Sequence, residues 1–364
     1  MQLELTKDQE MFRRTVRQFL ERESPLTKVR ELADEPAGFD RAWWRQGAEM
    51  GWTAMLVPEE LGGGTLSGQG LLDLALVAEE MGRLVSPGAL VPVNVVIASI
   101  VDAGVGGHGK ALEALMAGEA IAAWYDGSGV TASPAGGGYT LDGTAELVEA
   151  GADADHLLVT ARTGDGLRQF LLPATAPGLT PTRRDSLDLV RRHADIGLDE
   201  VRADVDTLVG GDRDAAAAVD RQRQIATVLQ TAETAGAIDR VFEFTTQWAF
   251  DRYSFGRPLA SYQALKHRFA DMKMWLEASH ATVTAAARAV QERSPHAAEL
   301  ASVAKAYVGD RAAALVQDCV QMHGGIGVTW EHDIHLYLRR VTVNQLTYGT
   351  PSDHRRRVAD LLAA

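Results

Sequence analysis

One helical pattern, which starts near residue 212, constrains the fold of this chain more than any other feature. Apolar side chains recur there at helical spacing over about six turns, which is long for a helix of a globular protein: Ile225, Val228, Leu229, Ala232, Ala235, Ile238, Val241, Phe242 and Trp248. Two more long helices are expected after it, one over Leu259 to Glu292 and one that Ser294 and Pro295 open and Gly324 stops. With two shorter helices predicted over 333–345 and 351–363, the C-terminal part is expected to be a bundle of long helices.

The first part of the chain is also predicted to be helical. Thr6 and Gln9 have the spacing of a capping box, and the apolar residues after them fall on one helix face. Further helical patterns follow over three ranges: 39–51, 71–84 and 93–103.

The pattern between these helical parts is different, because residues 119–210 lose the helical period and gain turn signals. The apolar runs 157–159 and 170–172 flank Gly164-Asp165-Gly166, which predicts a hairpin. Asp142-Gly143 predicts another tight turn. Short strands at this spacing favour a small antiparallel sheet.

Together these patterns predict a fold that is mainly α with a central small antiparallel β domain. The expected order is an N-terminal helical domain over 1–118, a β-sheet domain over 119–210 and a C-terminal helical bundle over 211–364. A chain of 364 residues is long enough for several domains, and 46% hydrophobic with 23% charged residues is typical of globular proteins.

The charge and the cysteine content exclude several classes of protein. The 49 acidic and 36 basic residues give a net charge of −13, which argues against nucleic acid or an anionic membrane as the main partner. The single cysteine, Cys319, excludes a disulfide framework and fits a helix core. No apolar run approaches roughly 18 residues, and the N-terminus is too acidic and polar for a signal peptide. We therefore expect a cytoplasmic protein.

Two segments combine glycine with hydrogen-bonding residues and are candidates for a binding site. In RYSFGRP (252–258), Arg252 projects from the last turn of the long helix; the alternative is a cation that only stabilises the negative helix end. In QMHGGIG (321–327), three glycines allow a ligand to approach the backbone closely, whereas the alternative is a simple helix C-cap. A helix, not a strand, precedes this loop, so it is not a dinucleotide-binding fingerprint.

These segments, with Gln263 in the helix between them, resemble the acyl-CoA dehydrogenase family. The family is marked by Arg-x-x-Phe-Gly, a following Gln and a Gln-x-x-Gly-Gly-x-Gly loop, and all three occur here in that order. GWTAMLVPEELGGG and LALVAEEMGRLVSPGAL resemble its first helical domain, so the resemblance covers essentially the whole chain. It implies an FAD cofactor and six candidate cofactor-binding residues: Arg252, Phe255, Gln263, Gln321, Gly324 and Gly325.

The family chemistry is α,β-desaturation of an acyl-CoA, in which a Glu removes the α-proton while FAD takes the β-hydrogen as hydride. That Glu normally lies in a Tyr-Glu-Gly-Thr segment, but the matching segment here begins at Tyr348 and places Gly349 at the expected Glu position. A minority of members place the base on the long helix, at a position that corresponds to Ala226; the nearest acids are Asp220 and Glu233. We therefore predict no catalytic base on this chain.

The resemblance also implies a changed flavin-binding strand. Leu147 and Glu149 stand where the family has a Trp and a hydrogen-bonding Thr, and the earlier sheet segment is reduced to residues 125–129. In the family, the elements around Arg252 and Gln321 reach across a dimer interface to the neighbouring subunit's FAD. This chain keeps the residues that would contact the neighbouring subunit's FAD but lacks the strand residues that would hold its own flavin. That combination is typical of a partner subunit in a hetero-oligomer.

The predicted partners are a second acyl-CoA dehydrogenase subunit or a second copy of this chain, an electron-transfer flavoprotein and an acyl-CoA substrate. GVTWEHDIHLYLRR further resembles short actinobacterial members, several of which pair with a different subunit in steroid degradation. Two alternatives remain: a flavin-free scaffold or acyl-CoA-binding subunit, and a self-sufficient homo-oligomer with a displaced base such as Glu331.

Other titratable residues near the C-terminus give weaker signals. A metal site would need a further ligand to converge on the histidines, for which solvated or core positions are favoured: His323, His332, His335 and His354. We predict no metal. Asp333 is a possible acid that is more commonly structural, and Arg355-Arg356-Arg357 fits a solvated helix face better than an anion contact.

Overall fold

The computed structural model describes residues 5–363 and has the predicted order of helices, then a sheet, then long helices. The helices are as follows: α1 (Lys7–Glu23), α2 (Leu26–Glu31), α3 (Arg41–Glu49), α4 (Gly70–Arg83), α5 (Leu90–Asp102), α6 (Gly109–Met116), α7 (Ala216–Asp251), α8 (Gln263–Gln291), α9 (Ala297–His323), α10 (Ile334–Leu346) and α11 (Pro351–Ala363). The strands are as follows: β1 (Ala122–Tyr125), β2 (Val130–Ala135), β3 (Gly138–Glu149), β4 (His156–Thr163), β5 (Gly166–Pro173), β6 (Leu179–Arg184), β7 (His193–Ala203), β8 (Tyr253–Ser254) and β9 (Arg257–Pro258).

Two compact units divide the described chain. The helical unit comprises residues 5–29, 71–86 and 227–363, and the sheet unit comprises residues 30–70 and 87–226. None of the helices in the described residues combines the length and the apolar character that crossing a membrane requires.

The helical unit begins with the predicted capping box. The Thr6 hydroxyl accepts from the Gln9 backbone N–H, and the Thr6 N–H donates to the Gln9 side chain, which fixes the start of α1. Buried Glu80 on α4 then accepts from two arginines of α1, Arg13 and Arg17, each at 2.7 Å. These ion pairs hold α1 against α4.

Ion pairs also connect α4 to the long helices of this unit. Arg83 donates to Asp239 and, at 2.6 Å, to Glu243 on α7. Glu79 lies 3.2 Å from His280 on α8. The packing of these helices therefore depends on paired charges as well as on apolar side chains.

The sheet unit contains a seven-stranded sheet in the order β1-β4-β2-β3-β7-β6, with β5 paired to β4. Its pairs are antiparallel except β1 with β4 and a single parallel residue pair between β2 and β4. The predicted hairpin is β4–β5, which turns between Thr163 and Gly166.

The tight turn predicted at Asp142-Gly143 was wrong, because β3 runs straight through it. The register of β3 against β7 shifts at this point, and the Asp142 carboxylate accepts from the backbone N–H of Glu200 on β7. Gly143, with φ +131°, therefore forms a bulge inside the strand. The chain turns earlier, between Ala135 and Gly138.

Buried polar side chains attach the first turns of α7 to the sheet within the sheet unit. Gln222 accepts from the Trp124 indole at 3.0 Å and exchanges hydrogen bonds with Gln169 at 2.8 and 2.7 Å. The predicted apolar stripe continues from there along α7, which extends into the helical unit at residue 227.

Candidate functional site

The predicted Arg252 segment lies at the end of α7. The Arg252 backbone N–H donates to Trp248 O at 2.8 Å, and its side chain is exposed, with the guanidinium carbon 5.9 Å from the Trp248 ring centroid. Strands β8 and β9 form a tight hairpin after it, with Phe255 (φ +50°) and Gly256 (φ +80°) at the turn. Phe255 is 97% exposed.

Arg252 makes no ion pair with a carboxylate within residues 5–363. The next residues form a rigid connection, because the Tyr262 hydroxyl donates to Ser254 O at 2.7 Å and Arg257 stacks 3.9 Å from the Tyr262 ring centroid. Gln263 then begins α8 with an exposed side chain. The hairpin therefore places Arg252, Phe255 and Gln263 on one exposed connection between α7 and α8.

The predicted glycine loop follows α9. Gln321 is exposed in the last turn, and Gly324 leaves the helix with φ +65° and ψ −141°. A Cβ built on Gly324 or Gly325 would meet nothing within 4 Å, so another molecule can approach this backbone closely. Gln321, Gly324 and Gly325 are exposed, as a contact to another molecule requires, whereas the third glycine of the segment, Gly327, is buried.

The helical unit brings these two segments together. The Trp248 indole N–H donates to Met322 O at 3.2 Å, and the indole stacks on the His323 ring with centroids 5.3 Å apart and planes 19° apart. The end of α7, which carries Arg252, therefore lies beside the end of α9, which carries Gln321.

The expected base position lies in a turn between α10 and α11. Gly349 has φ +95°, and Thr350 caps α11 through Asp353, whose carboxylate accepts from the Thr350 N–H at 2.9 Å and from its hydroxyl at 2.6 Å. The family segment Tyr-Glu-Gly-Thr matches this turn in two registers: the one from the sequence puts Gly349 at the Glu position, and a match on Gly349-Thr350 puts Tyr348 there. Neither register contains a carboxylate.

His354 fills the space beside this turn. Its Nε2 donates to Tyr348 O at 2.9 Å, and a Cβ on Gly349 would lie 2.9 Å from the same Nε2. Burial, together with the charges of Lys305 and Arg357, lowers the pKa of His354, so its ring is neutral near pH 7. The imidazole occupies the place into which a side chain at position 349 would point.

Two of the acids considered as displaced bases, Asp220 and Glu233, are hydrogen-bonded to other residues of the chain. Ala226 is buried, and Asp220 accepts from Gln224 at 2.8 Å in the next turn of α7. Glu233 is buried and accepts from Arg340 at 2.7 Å and from Asn344 at 2.9 Å. Glu331 is exposed in the segment between the glycine loop and α10.

A buried ammonium group lies next to this turn, and the sequence analysis missed it. Lys305 on α9 is 1% exposed and donates to Gln230 Oε1, to Asn344 O and, at 2.7 Å, to Thr347 O. It thus satisfies carbonyl groups at the end of α10 that have no partner in the helix. The sequence feature that could have predicted this buried group is a lysine within the apolar stripe of α9.

The sheet unit contains the two residues, Leu147 and Glu149, that the resemblance places where the family contacts the flavin. Leu147 is 65% exposed with φ +53°, in a bulge where its N–H donates to Asp195 at 2.9 Å. Glu149 is buried 3.3 Å from the Arg191 guanidinium, and its charge is therefore paired within the unit. In the reduced segment 125–129, Asp126 accepts from Arg223 at 2.5 Å.

The histidines do not form a metal site in the described part of the chain, where no three His, Cys, Asp or Glu side chains converge on one point. His323 and His332 have ring centroids 4.5 Å apart, and burial, with His332 nearby, lowers the pKa of His323. His335 stacks on Trp330, and Cys319 is buried as predicted.

Comparison with known protein families agrees with this arrangement. The model "Acyl-CoA dehydrogenase, N-terminal domain" matches residues 6–119, and "Acyl-CoA dehydrogenase, C-terminal domain" matches residues 222–363. The chain belongs to the acyl-CoA dehydrogenase family. It is 31% identical to acyl-CoA dehydrogenase IpdE2 of Mycobacterium tuberculosis over 97% of this chain and 96% of that protein. The IpdE2 of Mycolicibacterium smegmatis is 29% identical over 97% and 98%.

Solved structures of similar chains include two described as complexes or paired chains. The "Tcur3481-Tcur3483 steroid ACAD" is 28% identical with a TM-score of 0.89, covering 98% of each chain. The ChsE4-ChsE5 complex from Mycobacterium tuberculosis is 26% identical with a TM-score of 0.89, covering 100% of this chain and 99% of that one. A Mycobacterium smegmatis glutaryl-CoA dehydrogenase in complex with FADH2 has the same fold, with a TM-score of 0.89 at 23% identity over 98% and 95%.

Proposed function

We propose that this chain is a subunit of a flavin-dependent acyl-CoA dehydrogenase complex that desaturates an acyl-CoA thioester between Cα and Cβ. It donates FAD contacts to a neighbouring subunit, and the proton-abstracting base belongs to another chain. The observation that carries this proposal is the exposed pair of Arg252 and the glycine loop in a helical unit whose turn at Gly349 has no carboxylate.

The hydrogen-bond donors of Arg252 and the glycine loop fit the diphosphate of FAD. A guanidinium forms strong charge-assisted hydrogen bonds to phosphate oxygens, and backbone N–H groups and a side-chain amide are further donors to them. Arg252 supplies a guanidinium that has no ion-paired carboxylate in the described residues, and Gln321 supplies an amide. The backbone at Gly324 and Gly325 is open to close approach, although the Gly324 N–H itself donates to Gln321 O. Bound FAD supplies the hydride acceptor for the reaction.

The sheet of this chain fits the flavin less well. The exposed leucine at position 147 offers no hydrogen bond from its side chain, and the Glu149 carboxylate is already engaged by Arg191. A partner whose sheet keeps the family's Trp and Thr is therefore expected to hold the flavin ring.

The base is also expected from the partner. Abstraction of the α-proton needs a proton acceptor next to the thioester. In the turn 347–350 the candidate positions are occupied by Tyr348 and Gly349, and the nearby acid Glu233 is paired with Arg340. The residues of this chain are therefore assigned to binding and positioning.

The relatives support a hetero-oligomer with a bulky substrate. One similar structure is described as a steroid ACAD and another as a complex of two differently named chains. We propose that this chain also pairs with a different family member, that the acyl group is a steroid fragment or another bulky acid, and that an electron-transfer flavoprotein reoxidises the flavin.

Substitution of Arg252 tests this function. In the complex purified with its partner, Arg252→Ala should weaken FAD retention about tenfold or more, because a charge-assisted hydrogen bond to an anion is lost. Arg311→Ala is the matched control, since that arginine lies on α9 over the Trp275 ring, 5.2 Å from its centroid. FAD retention equal to wild type in Arg252→Ala would contradict the proposal and favour the flavin-free scaffold.

A further inference from the structure

We propose that Trp248 and His323 are positioning residues that hold Arg252 in register with the glycine loop. This inference rests on the proposed donation of FAD contacts. Neither Trp248 nor His323 is among the six candidate cofactor-binding residues. They act through Arg252 and the loop backbone.

The need for such residues follows from where the two segments lie. Arg252 follows α7, Gly324 follows α9, and both are exposed, so the spacing between them depends on the contacts that join the two helix ends. A diphosphate spans only a few ångströms, and its donors bind together only if their spacing is maintained.

Trp248 connects the two ends directly. Its indole N–H donates to Met322 O, two residues before Gly324, at 3.2 Å. The Trp248 indole also lies close to residues at both helix ends. The His323 ring of α9 stacks on it with centroids 5.3 Å apart, and the Arg252 guanidinium carbon, at the end of α7, lies 5.9 Å from the indole centroid. The indole therefore contacts the cation and the loop at the same time.

His323 is itself held in a fixed orientation. Its Nδ1–H donates to Cys319 O at 2.8 Å, and the residue is 5% exposed. Phe244 contacts it edge-on at 5.7 Å and His332 lies 4.5 Å away, measured between ring centroids. The surface on which Trp248 stacks is thus set by packing from α7, α9 and the segment before α10.

A second tryptophan in the same unit provides the matched comparison. Trp275 on α8 has Arg268 at 5.0 Å and Arg311 at 5.2 Å from its ring centroid, so it also pairs an indole with arginine. Removing that indole should affect local packing without changing the relation between Arg252 and Gly324.

The test measures the dissociation of FAD from the complex of this chain with its partner. Trp248→Phe, which keeps a ring but loses the donor to Met322 O, should release FAD about 3- to 10-fold faster, as expected for one lost hydrogen bond. His323→Ala should have a similar effect, and His323→Phe, which retains a stacking ring, should restore part of the loss. Trp275→Phe should release FAD at the wild-type rate.

Combination with Arg252→Ala separates positioning from general destabilisation. If Trp248 acts through Arg252, then Trp248→Phe adds little to the loss already caused by Arg252→Ala. Fully additive losses, or rates for Trp248→Phe and His323→Ala that equal the rate for Trp275→Phe, would overturn the inference while leaving the proposed function intact. No loss from Arg252→Ala alone would contradict both.

Discussion

Replacing Gly349 by glutamate tests whether this turn can accept the missing base. The backbone there has φ +95°, a conformation that side-chain-bearing residues rarely adopt. A Cβ at this position would also lie 2.9 Å from His354 Nε2 and 3.2 Å from its Cδ2, so the buried imidazole would have to move.

The expected loss of stability comes from two terms. The left-handed conformation costs a residue with a Cβ roughly 1–2 kcal/mol. Displacing His354 sacrifices its 2.9 Å hydrogen bond to Tyr348 O, a loss of about 1 kcal/mol. Gly349→Glu should therefore lower the free energy of unfolding by about 2–3 kcal/mol.

Denaturant unfolding of the isolated chain measures the stability, and dehydrogenation of several acyl-CoA lengths with an artificial electron acceptor measures activity. Gly164→Glu is the matched control, because a Cβ on Gly164 meets nothing within 4 Å. We expect Gly349→Glu to be destabilised relative to this control and inactive without a partner. Control-like stability together with robust turnover would refute the reasoning.

Three other substitutions give separate tests. Tyr348→Glu places the carboxylate in the other register, and because residue 348 already has φ +60° without being glycine, it should destabilise the chain less than Gly349→Glu in the same assay. Lys305→Met leaves three oxygens, of which Gln230 Oε1 and Asn344 O are buried, without their donor and should cost about 3 kcal/mol or more in denaturant unfolding; wild-type stability would contradict that role. Burial opposes the charge on His280, but Glu79 outweighs it and raises the pKa of His280, so this pair stabilises most below about pH 6.5 and less as pH rises through the raised pKa. Between about pH 6 and pH 8 the wild type should lose more stability than His280→Gln, and parallel pH profiles would contradict the pairing.

The local patterns that predicted the fold are those that depend on neighbouring residues alone. The capping box at Thr6, the hairpin around Gly164 and the long stripe of α7 all form as expected. Asp142-Gly143 misled the prediction because its conformation depends on a distant strand, where Glu200 donates to Asp142 and the two residues form a bulge.

In the candidate site, too, some features follow from local sequence and others depend on tertiary packing. Arg252 and the glycine loop could be selected as candidates from the sequence because their motifs are contiguous, and the structure shows that the two segments lie side by side. The position of His354 against Gly349 and the contacts of Lys305 depend on tertiary packing, which no local spacing encodes.

Flavin content of the purified chain, with and without its partner, tests the central claim most directly. We expect the lone chain to carry no FAD, because the Leu147 side chain offers no hydrogen bond and the Glu149 carboxylate is paired with Arg191. Co-purification with the partner should yield a flavin-containing complex that depends on Arg252. A lone chain that holds one FAD per subunit and desaturates an acyl-CoA would contradict the account.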